Sequence, residues 1–128
     1  MTAWTSAELG TIEETDELDL RSERADGSLR DPVTMWVVRH GDAAYVRPVK
    51  GPGGWYRGVL TRHEGSVSCG GVTKDVTFVE VDDDPALNAA IDDAYRAKYR
   101  RYADDIVGSV TNDLSRSATL RLDPRRPS

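Results

Sequence analysis

What this chain lacks narrows its chemistry first. It holds one cysteine, Cys69, in 128 residues, so no internal disulfide can form. Its two histidines, His40 and His63, stand far apart and outside any paired-ligand spacing, which argues against a resident zinc. Basic residues are in deficit, 17 against 22 acidic ones, for a formal net charge of −5. Nucleic acid is therefore disfavoured as the main partner, since neutralising phosphates needs a basic face. No apolar run approaches the roughly 18 residues of a membrane span. The start, Met1-Thr2-Ala3-Trp4-Thr5, lacks the basic-then-apolar order of a signal peptide. These absences predict one soluble, cytoplasmic domain over 1–128, with 1–4 and 123–128 as loose ends.

What is present reads as short elements with clear punctuation. Thr5 and Glu8 form a capping-box pattern for a helix over about 6–14, with Leu9 and Ile12 inward. Leu18 and Leu20 alternate as a strand, and Asp26-Gly27 signals a tight turn. Val33 to Arg39 is apolar on both parities, which predicts a central strand covered on both faces. Ala43 to Val49 returns as a strand with Tyr45, Arg47 and Val49 on one face, and Pro48 places its end at an edge or at the mouth of a closed sheet. A helix over about 55–62 follows, weakened by Gly58. Gly70-Gly71 joins two strands, 65–69 and 72–81. The apolar parity of the second changes, which predicts a bulge or burial on both sides.

Asp84 and Pro85 open the best helix, whose apolar face runs Leu87, Ala90, Ile91, Ala94, Tyr95, Lys98, Tyr99, Tyr102. Lys98 interrupts that face and is expected to snorkel from it. The segment 106–110 is ambiguous, and 118–122 alternates as a last strand. Hairpin-linked strands in this order predict an α+β fold, a largely antiparallel sheet or barrel of about six strands carrying helices.

The stretch Lys50-Gly51-Pro52-Gly53-Gly54-Trp55-Tyr56 is the densest candidate for a site. Glycines let the backbone approach a ligand, Lys50 brings a cation, and a helix N-terminus follows; together these can cradle an anion. A plain turn followed by two core aromatics explains the same letters. Elsewhere His40, His63, Asp31 and Cys69 are candidate acid–base or nucleophilic groups without diagnostic spacing. Asp82-Asp83-Asp84 reads better as a helix cap than as a cation loop, because it lacks a loop glycine.

The run Arg24-Ala25-Asp26-Gly27-Ser28-Leu29-Arg30-Asp31-Pro32-Val33, then Lys50-Gly51 and Trp55-Tyr56, resembles the bacterial DUF2255 proteins of unassigned function. Asp75-Val76-Thr77-Phe78 and Tyr95-Arg96-Ala97-Lys98-Tyr99 take part too. More distantly the chain is similar to the deazaflavin (F420)-dependent nitroreductases, within the FMN-binding split β-barrels. That resemblance implies a cofactor phosphate held by Arg24, Arg30, Lys50 and Gly51, with the Gly53-Gly54 backbone lining the anion. It implies Trp55-Tyr56 at the start of the next helix, Trp55 or Trp36 against the ring, and Tyr99 or Tyr102 beside a substrate. A homodimer is implied as well. Val49, Ala25 and Pro52 depart from the relatives' Ser, basic residue and second Gly, and the loop is shorter. Each change removes a donor or narrows the loop.

Three classes therefore stand: a reductase using FMN or F420, a cofactor-free enzyme, and a non-catalytic binding or assembly module, with Trp4 and Trp36 as interface candidates in the last.

Overall fold

The computed structural model describes residues 4–48 and 54–125. In chain order the elements are α1 (Ser6–Glu14), β1 (Glu17–Ser22), β2 (Val33–Trp36), β3 (Val38–His40), β4 (Ala43–Val46) and α2 (Gly54–Arg62). Then come β5 (Glu64–Cys69), β6 (Val72–Glu80), α3 (Pro85–Lys98), α4 (Asp104–Gly108), α5 (Asp113–Arg116) and β7 (Leu120–Pro124). Local chemistry sets several of these bounds. Both arms of the Thr5/Glu8 capping box are formed, and Leu9 and Ile12 are buried as expected. Asp84 accepts from the Leu87 N–H, with Pro85 in the first turn of α3. Gly70 and Gly71 take φ of +57° and +88°, the pair of left-handed residues a two-residue hairpin needs.

All strand pairs are antiparallel, in the order β2-β1-β5-β6-β7-β4-β3. The two outermost strands in that order, β2 and β3, are consecutive in the chain and separated only by Val37. The sheet thus curls until its edges meet, and its split lies at one residue. This is the expected α+β split barrel, with seven strands rather than about six. The predicted central strand over 33–39 is instead two edge strands. Its apolar character on both parities has another cause: the chain passes from pairing with β1 to pairing with β4, and α3 covers the outside.

Val37 cannot pair with a strand at this crossing. Its N–H donates to the Tyr99 hydroxyl at 3.0 Å. Its carbonyl accepts from Lys98 Nζ at 2.6 Å and lies 2.9 Å from the Tyr99 hydroxyl. Lys98 also donates to the Ile12 carbonyl at 2.7 Å, so it points into the seam instead of snorkelling to water.

Two clusters form the core. Leu18, Leu20, Val76, Phe78, Leu120 and Leu122 fill the barrel with Trp4, Leu9 and Ile12. Ile91 and Tyr95 on α3, with Tyr99 at its C-cap, pack over Val38, Tyr45 and Val81 outside it. Burying each such aliphatic or aromatic side chain contributes about 1.5–3 kcal/mol. The parity change in β6 is burial on both sides: its register against β5 and β7 is unbroken, and Val79 packs on the outer cluster. The ends are better held than expected. Trp4 is in the core and donates to the Leu122 carbonyl at 2.8 Å, which makes it a packing residue. Asp123 and Pro124 belong to β7, and the Arg125 N–H reaches the Asp75 carbonyl at 2.8 Å.

Arg47 is the largest fully buried side chain, a role that its place on an alternating strand did not reveal. Its guanidinium bonds Asp92, Asn88, Thr119 and the Val110 carbonyl. Asp92 also takes Arg116 Nε at 2.8 Å. This network ties the end of β4 to α3, α5 and β7. Removing one partner would strand a buried charge.

Candidate functional site

Arg24, Arg30 and Trp55, far apart in sequence, converge on one cavity of about 290 Å³. Leu20, Ser22, Asp31 and Val33 complete its lining. The turn carrying the arginines is built locally. Asp26 accepts from the Ser28 N–H at 2.9 Å and its hydroxyl at 2.7 Å, which holds the Asp26 carboxyl below its ordinary range. Arg21 Nε donates to the Arg30 carbonyl at 2.8 Å, and the Arg30 N–H to the Ser22 carbonyl at 2.9 Å. Arg62, in the last turn of α2, clamps the turn through the Ala25 carbonyl at 3.0 Å and Glu23 at 3.2 Å. The turn is therefore docked on α2.

Gly58 is the residue that makes this docking possible. A Cβ there would lie 2.9 Å from Arg30 Nε and 3.0 Å from Ser22 Oγ. A glycine inside a helix costs about 1 kcal/mol against alanine. Here it makes room for a guanidinium. In the sequence it reads only as a weak point in the helix, although an unexplained mid-helix glycine is itself a signal of close approach.

The two arginines of this cavity differ from the fully bonded Arg47. Among the described residues, Arg30 Nε is buried without a hydrogen-bond partner. A buried donor left unmade costs about 1–3 kcal/mol. Arg24 uses Nη1 on the Leu29 carbonyl at 2.9 Å and Ser28 Oγ at 3.3 Å. Among the described residues neither arginine forms an ion pair. Trp55 is half-buried beside them, its ring edge-on to Tyr56 at 6.1 Å. Tyr56 faces the other way. It is buried in the barrel core and donates to Glu80 Oε1 at 3.2 Å; burial and the Glu80 charge push its hydroxyl up to about 12. Of the adjacent aromatic pair, then, only Trp55 lines the cavity.

Lys50, Gly51 and Gly53 lie outside the described residues, and Gly54 opens α2 directly before Trp55.

Tyr99 and Tyr102 are elsewhere. Tyr99 is fully buried, its ring stacked on Trp36 at 3.9 Å and 3°, and its hydroxyl is committed to Val37 and the Asp16 carbonyl. Tyr102 tilts against Trp36 at 4.9 Å and donates to Asp16 Oδ2 at 3.2 Å. Both stand at the Glu17↔Trp36 end of the β1–β2 pair, whereas the cavity opens at the Leu20↔Val33 end. Three residues of strand separate these ends, about 10 Å. One chain does not bring the arginines and these tyrosines together.

The remaining candidates fall in ordinary places. His40 and Asp31 are exposed. His63 caps α2 with φ +57° and meets Glu80 Oε2 at 3.3 Å. Cys69 is buried, and burial raises its thiol. Among the described residues no three His, Cys, Asp or Glu side chains group to hold a metal. Among them, too, no helix is long and apolar enough to cross a membrane.

Solved structures with this architecture extend the comparison. A conserved hypothetical protein from Mycobacterium tuberculosis superposes with a TM-score of 0.72 at 15% identity, over 96% of this chain and 82% of that one. An FAD-binding protein from Mesorhizobium loti superposes at 0.63 and 14% identity, over 98% and 93% of the two chains. HutZ, the heme storage protein of Vibrio cholerae, gives 0.63 at 17% identity, over 95% and 91%. At these identities the likeness shows the fold. No curated protein matches the sequence. The family of uncharacterized proteins conserved in bacteria, DUF2255, matches residues 8–122, and the chain belongs to it.

Proposed function

We propose that the cavity between the Asp26-Gly27 turn and α2 binds the phosphorylated end of a flavin-like cofactor, FMN or F420. The observation that carries this reading is Arg30 Nε, buried against Gly58 without an acceptor. A phosphate oxygen would supply that acceptor in a charge-assisted bond. Arg24 adds a second cation at the rim. Lys50, Gly51 and Gly53 precede the N-terminus of α2 in sequence, where a cation and free backbone N–H groups favour an anion. The cavity, about 290 Å³, sits at the lower bound of ordinary ligand pockets, about 300 Å³. It takes the phosphorylated tail and leaves a ring outside, against the open side of Trp55. Two of the structural neighbours, named for binding FAD and storing heme, keep cofactor binding within the range of this fold.

When bound, the cofactor would carry the hydride of a reductase; this chain would place it. A homodimer belongs to the same reading, since one chain covers only part of such a ring. Tyr102 of a second copy then becomes a candidate substrate neighbour. A non-catalytic binder of a smaller phosphorylated ligand is the second reading, favoured by the cavity's size and by Val49 and Pro52.

Tryptophan fluorescence titrated with FMN, and separately with F420, tests both. Saturable quenching, weakened roughly ten- to a hundredfold in Arg30→Ala, is expected. A folded protein that neither cofactor quenches at high micromolar concentration overturns the redox reading. Retained binding of inorganic phosphate would then select the second one.

A further inference from the structure

A second cavity lies on the other side of the barrel, over the seam. It measures about 280 Å³ and is lined by Glu13, Val38, Arg39, Ala94, Ala97 and Lys98. Its wall is small and apolar at Val38, Ala94 and Ala97. Three charged side chains complete the lining: the paired Glu13 and Arg39, and Lys98, whose amine is held by the Ile12 carbonyl at 2.7 Å and the Val37 carbonyl at 2.6 Å. These two acceptors account for the two N–H bonds of a neutral amine. The fourth tetrahedral position of nitrogen remains, as a proton in the ammonium and as a lone pair in the amine.

The surroundings favour release of that proton. Burial brings Lys98 down to about 8, while Cys69 and Glu13 act weakly the other way. Glu13 does not neutralise it, being paired with Arg39 at 3.2 Å. Lysines lowered by desolvation are those that serve as amine nucleophiles.

We propose that this cavity is a second ligand site, distinct from the arginine cavity, which takes a small aldehyde or ketone as a reversible imine on Lys98. The amine lone pair adds to the carbonyl carbon. The carbonyl oxygen leaves as water, carrying both amine hydrogens, as the C=N bond forms. No oxidant or reductant is consumed. Protonation to the iminium restores one N–H for the Ile12 carbonyl, and the Tyr99 hydroxyl already lies 2.9 Å from the Val37 carbonyl. The short apolar chain of the ligand lies against Ala94 and Ala97.

The chain has three lysines, Lys50, Lys74 and Lys98, so adducts map without ambiguity. Lys74 is paired with Glu8 at 3.0 Å and serves as an internal reference. Full-length protein is treated with butanal at pH 7.5, reduced with borohydride and mapped by peptide mass spectrometry. Lys98 is expected to carry at least tenfold more adduct than Lys74, with a rate that rises through about pH 8 and levels off. Ala97→Leu fills the cavity without touching the seam bonds and is expected to abolish the Lys98 adduct while sparing Lys74. Arg30→Ala is expected to leave it unchanged. Equal labelling of Lys98 and Lys74, or full labelling in a folded Ala97→Leu protein, overturns the proposal. So does protection of Lys98 from acetylation by butyrate in a protein that forms no butanal adduct, which would make the cavity a carboxylate site.

Discussion

The α3 side of the barrel and the α2 side treat buried cations in opposite ways. On the α3 side, Lys98 meets two carbonyls, and Arg47 meets Asp92, Asn88, Thr119 and Val110. Each holds together parts of the chain that no strand pairing joins: the seam at Val37, and the end of β4 against α3 and the Val110 carbonyl. On the α2 side, Arg30 is seated by Gly58 and clamped by its neighbours, yet among the described residues its Nε has no acceptor. A fold that satisfies its cations so thoroughly on one side leaves one unsatisfied on the other. In the proposed reading, the difference separates cations whose bonds hold the barrel together from one with a bond still to make.

Mutations should split along that line. The largest loss belongs to Asp92→Ala, which strands Arg47 in the interior; about 3–5 kcal/mol of unfolding free energy is expected to vanish in urea titrations. A wild-type midpoint in that variant would mean that the network is not structural. Tyr99→Phe removes the hydroxyl acceptor of the Val37 N–H and one donor near its carbonyl. It should cost about 1–3 kcal/mol, read the same way, with cofactor affinity untouched. Weaker FMN binding in a stable Tyr99→Phe protein would move that tyrosine from the seam to the site. Arg30→Ala should do the reverse: it removes an unpaired buried donor, so stability holds or rises by up to about 1–3 kcal/mol while cofactor affinity falls.

The smallest effect is a slope. Folded Lys98 gives up its proton near pH 8, whereas unfolded lysine does so near 10.5. Between these values the unfolded chain binds more protons, so stability rises with pH across that window. Burial raises Tyr95 and Tyr99 above their ordinary value, so stability falls again once unfolded tyrosine ionises, near pH 10. Burial raises the Cys69 thiol too, which opposes the slope once unfolded cysteine ionises at about pH 8.5, so the Lys98 contribution is read as the difference between wild type and Lys98→Met from about pH 8 to 9.5. Lys98→Met should flatten it; an unchanged slope would assign it to another group.

Much of this fold is legible in short-range letters. The Thr5/Glu8 cap, the Gly70-Gly71 hairpin and the Asp84-Pro85 helix start all depend on neighbours a few positions away. The break at Val37 is not legible, because its partners Lys98 and Tyr99 lie some sixty positions downstream. Arg47 fails for the same reason: its acceptors come from three distant segments. The five-residue α4 and four-residue α5 are too short to show a period. Of the candidate site, the family pattern points to the turn arginines and to Trp55, which line one cavity. The same pattern brings Tyr56 with Trp55, but one step along a helix turns a side chain by about 100°, and Tyr56 packs in the barrel core. Gly58 was visible but unexplained until Arg30 was seen beside it.

The most direct test of the central claim is an FMN titration of wild type, Arg30→Ala and Tyr99→Phe side by side, followed by tryptophan fluorescence. Saturable quenching in wild type, kept in Tyr99→Phe and weakened at least tenfold in Arg30→Ala, is the predicted result. Equal affinity in all three folded proteins, or quenching lost with Tyr99 and kept without Arg30, would contradict it.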